Sequence, residues 1–302
     1  LRKKKTLGTT GMAVTMLASL LGGARTEAAL PDYTPIFLGL DFFVLNVLFT
    51  GALFIPLERL FPKHREQGVF RTEWREDLFY YLVSSMTVQL FAWLGFIPAN
   101  ALLAVTSWES FRAWVAGLPL LIQIVAIMFF TDLVQYWLHR AFHRIPFLWK
   151  FHAVHHSAQS MDWMAGARMH FLEILILRAV TVIPMIILGF NQTAVAIYIF
   201  IVYLWSTFVH ANLGWKLKWA EGWLVTPRFH HWHHGIEKEA IDVNFAIHFP
   251  WFDRIFGTHH LPGDRWPEGY GIGGHPVPRG YLGQMLYPFR RKKPENPPSA
   301  KK

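Results

Sequence analysis

The sequence predicts an all-α fold: a polytopic membrane bundle of about four to six spans, with a cytoplasmic helical cap carrying its histidines. Three observations lead there. Charged residues are only 16% of the 302 and hydrophobic residues 53%, whereas a soluble globular domain has about 25% charged. Apolar runs recur at close to the roughly 20 residues that cross a bilayer core. The 16 histidines gather mainly at and beyond the ends of those runs.

Taken in order, the chain opens with a basic cluster, Arg2 to Lys5, before a short apolar run at 11–24 and small residues at Ala28 and Ala29. That layout suits a secretory signal or a first tilted span, so 1–30 stands as a signal-like or first membrane segment. Residues 31–138 are read as membrane spans. The run 36–57 has Asp41 and Asn46 as polar exceptions, 78–105 crosses with tilt or bends at Pro98, and 118–138 follows. Residues 139–258 form the histidine-bearing region, interrupted by a transmembrane hairpin at 171–209 whose two runs are joined by Asn191 and Gln192. Residues 259–302 read as a cytoplasmic Pro/Gly-rich basic tail. The loop 58–77 carries Arg59, Lys63, Arg65, Arg71 and Arg75, while 106–117 carries only Arg112. Positive charge therefore puts 58–77, the stretch from His139 to His170, and the chain after His210 in the cytoplasm, and the alternation of spans gives the same sides.

Composition also excludes. The chain has no Cys, which removes disulfides, thiolate zinc sites, iron–sulfur clusters and thiol nucleophiles. The net charge of +9 lies in loops and tails, not on a nucleic-acid-binding face. What remains is imidazole chemistry. His139 and His143 stand four apart; His152, His155 and His156 repeat the spacing found in His230, His233 and His234. Residues three and four apart share a helix face, so each cluster presents two or three rings together. Such rings would repel one another if protonated and compete for partners if buried neutral. A divalent metal resolves both problems, and so many ligands suit two ions rather than one. Imidazole serves iron, zinc, copper and nickel alike, so spacing does not choose the metal.

The stretches 132–143 and 148–157, together with 226–234 and the segments Asp242-Val243-Asn244-Phe245 and 251–258, resemble the histidine boxes of the fatty acid hydroxylase/sterol desaturase superfamily and the residues that follow them. The resemblance implies an integral-membrane di-iron oxygenase whose boxes face the cytoplasm. It implies His139, His143, His152, His155, His156, His230, His233 and His234 as metal ligands, and His170 and His210 as two more. Phe171 replaces the Pro usual after the residue matching His170. Asp132, Asn212 and Asp242 are the candidate catalytic polar residues. Asp132 is the first candidate to orient a ligating ring, since it precedes His139 by seven residues on nearly one helical face, with Asp162, Glu173 and Asp242 behind it. His231 is expected beside the site.

The implied cofactors are two iron ions, with zinc able to replace them on purification, and O₂ as co-substrate. The lone His275-Pro276 gives no support for haem in this chain. The implied partners are a lipid entering from the membrane and a separate electron donor of ferredoxin or cytochrome b5 type with its reductase. Hydroxylation of an unactivated C–H in a fatty acyl or related lipid is the expected activity, with desaturation or sterol C-4 methyl oxidation as alternatives. A divalent-metal transporter is a reading from another class, although transporter sites sit near the bilayer midplane. A zinc lipid hydrolase is a third.

Overall fold

The computed structural model describes residues 40–273 and 277–290, together with Thr6, Thr9, Thr10 and Ala13. The expected signal-like segment lies largely outside the described residues, and so do His275-Pro276 and the last stretch of the basic tail, 291–302. Every element of two turns or more is helical, and the described residues form isolated bridges but no strand.

Helices α1 (Leu40–Leu60) and α2 (Trp74–Leu103) precede the short α3 (Glu109–Ala116) and the long α4 (Leu120–Arg144). Next come α5 (Pro146–His156), α6 (Phe171–Leu188) and α7 (Gln192–His210). The short α8 (Pro227–His233), α9 (Trp251–Ile255) and α10 (Tyr281–Leu286) complete the chain. Three helices, α4, α6 and α7, are long and apolar enough to cross a membrane, and α2 makes a fourth if its bent halves are one span. α1 coincides with the first expected run. The bend of 55° in α2 falls between Thr87 and Leu90, not at Pro98. Thr87 donates its hydroxyl to the Val83 carbonyl at 2.7 Å, a contact within the helix ladder of the kind that bends helices.

Local chemistry sets the breaks that matter for the site. Ile145 is extended (φ −96°, ψ 113°) because the residue before a proline is pushed out of the helical region, and Pro146 then opens α5. This corner folds α5 back beside the end of α4. Gly189 ends α6 in the left-handed conformation (φ 79°), and the Asn191 side chain caps α7 by accepting from Ala194 N–H at 2.7 Å. These set the turn between the two helices, each of which packs against α4. Along the spans, Gly95 lets α2 approach the α6 backbone: a Cβ there would come within 3.3 Å of Ala179 N. Small residues serve the same close packing in membrane bundles generally.

Beneath the histidines lies a buried ion network. Arg71 donates from Nε to Asp162 at 2.6 Å and also bonds Asp77. Arg168 donates from Nε to Asp77 at 2.6 Å and from its fork to Glu73 at 3.2 Å. Burial opposes the charge on both guanidiniums, yet Asp162 and Asp77 more than offset it for Arg71, and Asp77 and Glu73 do so for Arg168. The network ties the 61–73 loop and the start of α2 to the 157–170 connection. Removing one member of such a network leaves partners charged and unpaired, a loss of about 3–5 kcal/mol. Asp77→Ala should therefore lower the thermal unfolding midpoint in detergent by many degrees, and a midpoint within a degree or two of the parent would contradict this account.

Candidate metal centre

The structure assembles two adjoining groups of ring nitrogens. One contains His139, His143, His152, His156 and His233; the other contains His155, His210, His230 and His234, and within each group the donor atoms lie within 4.8 Å of one another. The sequence spacing explains how they interleave. In α5, His152 and His156 share one face and join the first group, while His155 turns to the second. At α8 the pattern is reversed: His230 and His234 join the second group and His233 the first. His156 and His234 stack across the boundary with centroids 4.3 Å apart.

Five of the rings are aimed by what holds their other nitrogen. His139 donates from Nδ1 to the Phe245 carbonyl at 2.8 Å and His233 to that of Val243 at 2.8 Å. His155 donates to the Arg168 carbonyl at 3.0 Å and His210 to that of Ser206 at 2.6 Å. His152 Nδ1 lies 2.5 Å from the Glu173 carboxylate. Carbonyl oxygens only accept, so the four carbonyl-bound rings carry their single neutral proton on Nδ1 and present a bare lone pair at Nε2, and an ionised Glu173 sets His152 the same way. His139 and His152 then face each other Nε2 to Nε2 at 3.1 Å, and His155 and His210 do so at 3.2 Å.

Two lone pairs at that distance with no proton between them repel, and each group contains such a pair. A cation removes the repulsion. Two nitrogens each about 2.1 Å from one ion stand about 3 Å apart when their bonds are at right angles, which is the spacing present. His143 Nε2 is buried without a hydrogen-bond partner among the described residues. Burial first, and neighbouring rings after it, holds His152, His156, His230, His233 and His234 well below the usual histidine range, hence neutral and able to bind metal. The donor set fits two metal ions.

Several expected residues are placed differently. His170 belongs to neither group. It caps α6 by accepting from Leu172 N–H at Nδ1 (3.1 Å), and its Nε2 donates to the Met285 carbonyl (3.0 Å). Both nitrogens are engaged, so the ligand expectation for His170 is corrected. Asp132 touches no ligating ring; its carboxylate accepts the backbone N–H groups of Ile247, His248 and Phe249. Seven residues return it to the face of His139 but about 10 Å further along the axis. Asn212 is also away from the rings, accepting from His64 N–H at 2.8 Å and donating to the His64 carbonyl at 3.1 Å. Asp162 is engaged with Arg71 instead. Asp242 does border the site, 3.4 Å from His143 Nδ1 and 3.3 Å from Arg144. His231 lies beside the groups, with Nδ1 2.8 Å from the Tyr270 hydroxyl.

The main-chain carbonyls are the part that side-chain reading missed. Asp242 and Asn244 both adopt positive φ, 60° and 59°, a region Asp and Asn tolerate better than other residues. Between and after them, Val243 and Phe245 turn their carbonyls to His233 and His139. Asp253 accepts from Phe245 and Ala246 N–H at 2.7 and 2.9 Å and holds the segment still. At the second group, Gly166 leaves room for His210, since a Cβ there would come within 2.9 Å of its Nδ1. The aspartate and asparagine of the 242–245 segment were the available signal.

A carboxylate that orients a ligating histidine is worth about 10–100-fold in metal affinity. Glu173→Ala should weaken metal retention by that factor in a chelator competition, while His170→Asn should leave retention unchanged and affect only stability. Metal loss from His170→Asn equal to that from Glu173→Ala would restore His170 as a ligand.

The domain family described as fatty acid hydroxylase matches residues 124–258, which contain every histidine of both groups. The ornithine lipid hydroxylase OlsE of Rhizobium tropici is 29% identical over 82% of this chain and 76% of its own. A putative methylsterol monooxygenase of Dictyostelium discoideum is 27% identical over 72% and 81%. The human alkylglycerol monooxygenase is 27% identical over 45% of this chain and 30% of its own. No solved structure matches. The matched region coincides with the two histidine groups, and together with the lipid hydroxylase and monooxygenase relatives it supports a likeness to the fatty acid hydroxylase/sterol desaturase superfamily.

Proposed function

We propose that this membrane lipid oxygenase is a non-haem di-iron hydroxylase acting on an unactivated C–H bond of a fatty acyl or related lipid chain. The observation that carries the reading is the pair of facing, unprotonated Nε2 atoms in each of two adjoining histidine groups. Relatives named as hydroxylases and monooxygenases of lipids support the oxygenase chemistry and an acyl or alkyl substrate. Bound iron would supply the activation of O₂ that no side chain can provide.

The chain's own residues do the rest. His139, His143, His152, His156 and His233 would hold one ion, and His155, His210, His230 and His234 the other. The carbonyls of Phe245, Val243, Arg168 and Ser206 fix the Nδ1 protons and so keep each Nε2 available. Glu173 holds the proton of His152 at Nδ1. Phe142 and Phe245, both buried, pack against the rings of the first group and exclude water there: Phe142 lies 5.7 Å from His152 and Phe245 5.0 Å from His143. Neutral ligands leave the ions more electron-poor than carboxylates would. Electrons come from a separate ferredoxin or cytochrome b5 type donor, the lipid enters from the membrane, and the centre faces the cytoplasm, in keeping with the basic loops on that side.

Elemental analysis and Mössbauer spectroscopy of iron-57-labelled protein, prepared anaerobically under reducing conditions, test this reading. Two coupled irons per chain are expected, with coupling lost in both His155→Ala and His233→Ala because each removes a ligand from a different group. Zinc alone under those conditions, with no iron retained, would sink the oxygenase proposal.

A further inference from the structure

The segment after Asn244 is drawn down along the spans instead of resting on top of them. Phe252 meets Phe129 of α4 with centroids 5.4 Å apart, and His248 Nε2 lies 3.3 Å from the Tyr198 hydroxyl of α7. At 1.5 Å per residue, Phe129 is about 15 Å along α4 from His139, and Tyr198 about 18 Å along α7 from His210. Water is scarce at that depth, so backbone donors need protein partners. They have them: Asp132 serves the N–H groups of residues 247, 248 and 249, and Asp253 serves those of 245 and 246.

The outward side of this segment is apolar and uncovered. Ile255 is 70% exposed, Trp223 66% and Trp219 79%, and Trp251 packs edge-on against Trp223 at 5.9 Å. Arg254 bonds the carbonyls of Gly222 and Glu221, joining the two tryptophan-bearing stretches into one unit. Lys216 and Lys218 border it, sharing Asp264. Tryptophan flanked by lysine and arginine is the composition of a membrane–water boundary. Facing water, a patch of this kind would be a liability for solubility.

We infer that residues 215–224 and 247–256 form a wedge seated in the bilayer, with Trp219, Trp223, Trp251 and Ile255 immersed at the acyl–headgroup boundary of the leaflet on the metal-centre side, and Lys216 and Lys218 at the level of its phosphates. The occupant of the surface is lipid. Its continuity with α4 and α7 through Phe252 and His248 carries the assignment, which is independent of the chemistry proposed for the histidines.

The chain has no Cys, so single nitroxide labels can be placed cleanly in the full-length protein in nanodiscs of phosphatidylcholine and phosphatidylglycerol. Labels at Trp223→Cys and Ile255→Cys are compared with Ile199→Cys on the exposed face of α7 and Glu268→Cys on the cap. All four variants must elute as the parent does. The wedge predicts that power-saturation accessibility to oxygen exceeds that to a nickel chelate at 223 and 255, with a ratio several-fold above that at 268 and approaching that at 199. A ratio at 223 and 255 equal to that at 268 would place the patch in water. Shielding from both reagents would make it a contact between proteins. Either outcome overturns the inference.

Discussion

A neutral imidazole has one proton for two nitrogens, and in this centre the backbone claims it. Four of the rings donate Nδ1–H to main-chain carbonyls and a fifth points Nδ1 at a carboxylate. Inward-facing lone pairs are the consequence, and the centre exists only while those carbonyls stay where they are. Much of the surrounding architecture can be understood as the means of keeping them there. Phe245 and Val243 sit on a segment bent by two positive-φ residues and clamped by Asp253, and Ser206 is inside α7. Arg168, whose carbonyl serves His155, has its guanidinium pinned by Asp77 and Glu73.

This dependence gives the buried ion network a purpose that stability alone does not supply. Buried ion pairs contribute little net free energy against well-packed apolar groups, because desolvation offsets the attraction. Position is another matter. Asp77 holds both Arg71 and Arg168, and Arg71 in turn holds Asp162, whose carboxylate also accepts from Met164 and Ala165 N–H at 3.0 Å. The 157–170 connection is therefore fixed at both ends. One of the points so fixed is Arg168, whose carbonyl accepts from the His155 ring.

Side-chain spacing made the donor set legible because spacing is local to the chain. His139 and His143, or His152 and His156, must share a face once the segment is helical, and Pro146 makes the corner that sets one such pair opposite the other. The helical membrane bundle was legible for the same reason, since apolar length is also a local property. The partners of Nδ1 were not legible, because a carbonyl carries no residue identity and its direction depends on folded φ and ψ. The ranking of carboxylates failed for a related reason. Helical phase put Asp132 on the face of His139 but ignored the axial rise between them, whereas Glu173 reaches His152 from another helix. His170 was misread because an N-cap and a ligand look alike in sequence: both are polar residues at a helix end.

One segment, residues 242–256, does two jobs that are mechanically inseparable. Its first half supplies the carbonyls that set the tautomers of His139 and His233. Its second half is embedded against α4 and α7 and presents an apolar face to the lipid. Asp132 and Asp253 bind consecutive N–H groups of the same strip, from residue 245 to residue 249, so no slack separates the halves. A shift of this part along the spans would be carried through those carboxylate contacts to Phe245 and Val243, and the rings would lose the acceptors that keep their protons turned outward from the two groups. The arrangement couples the seating of residues 247–256 against α4 and α7 to the geometry of the histidine centre.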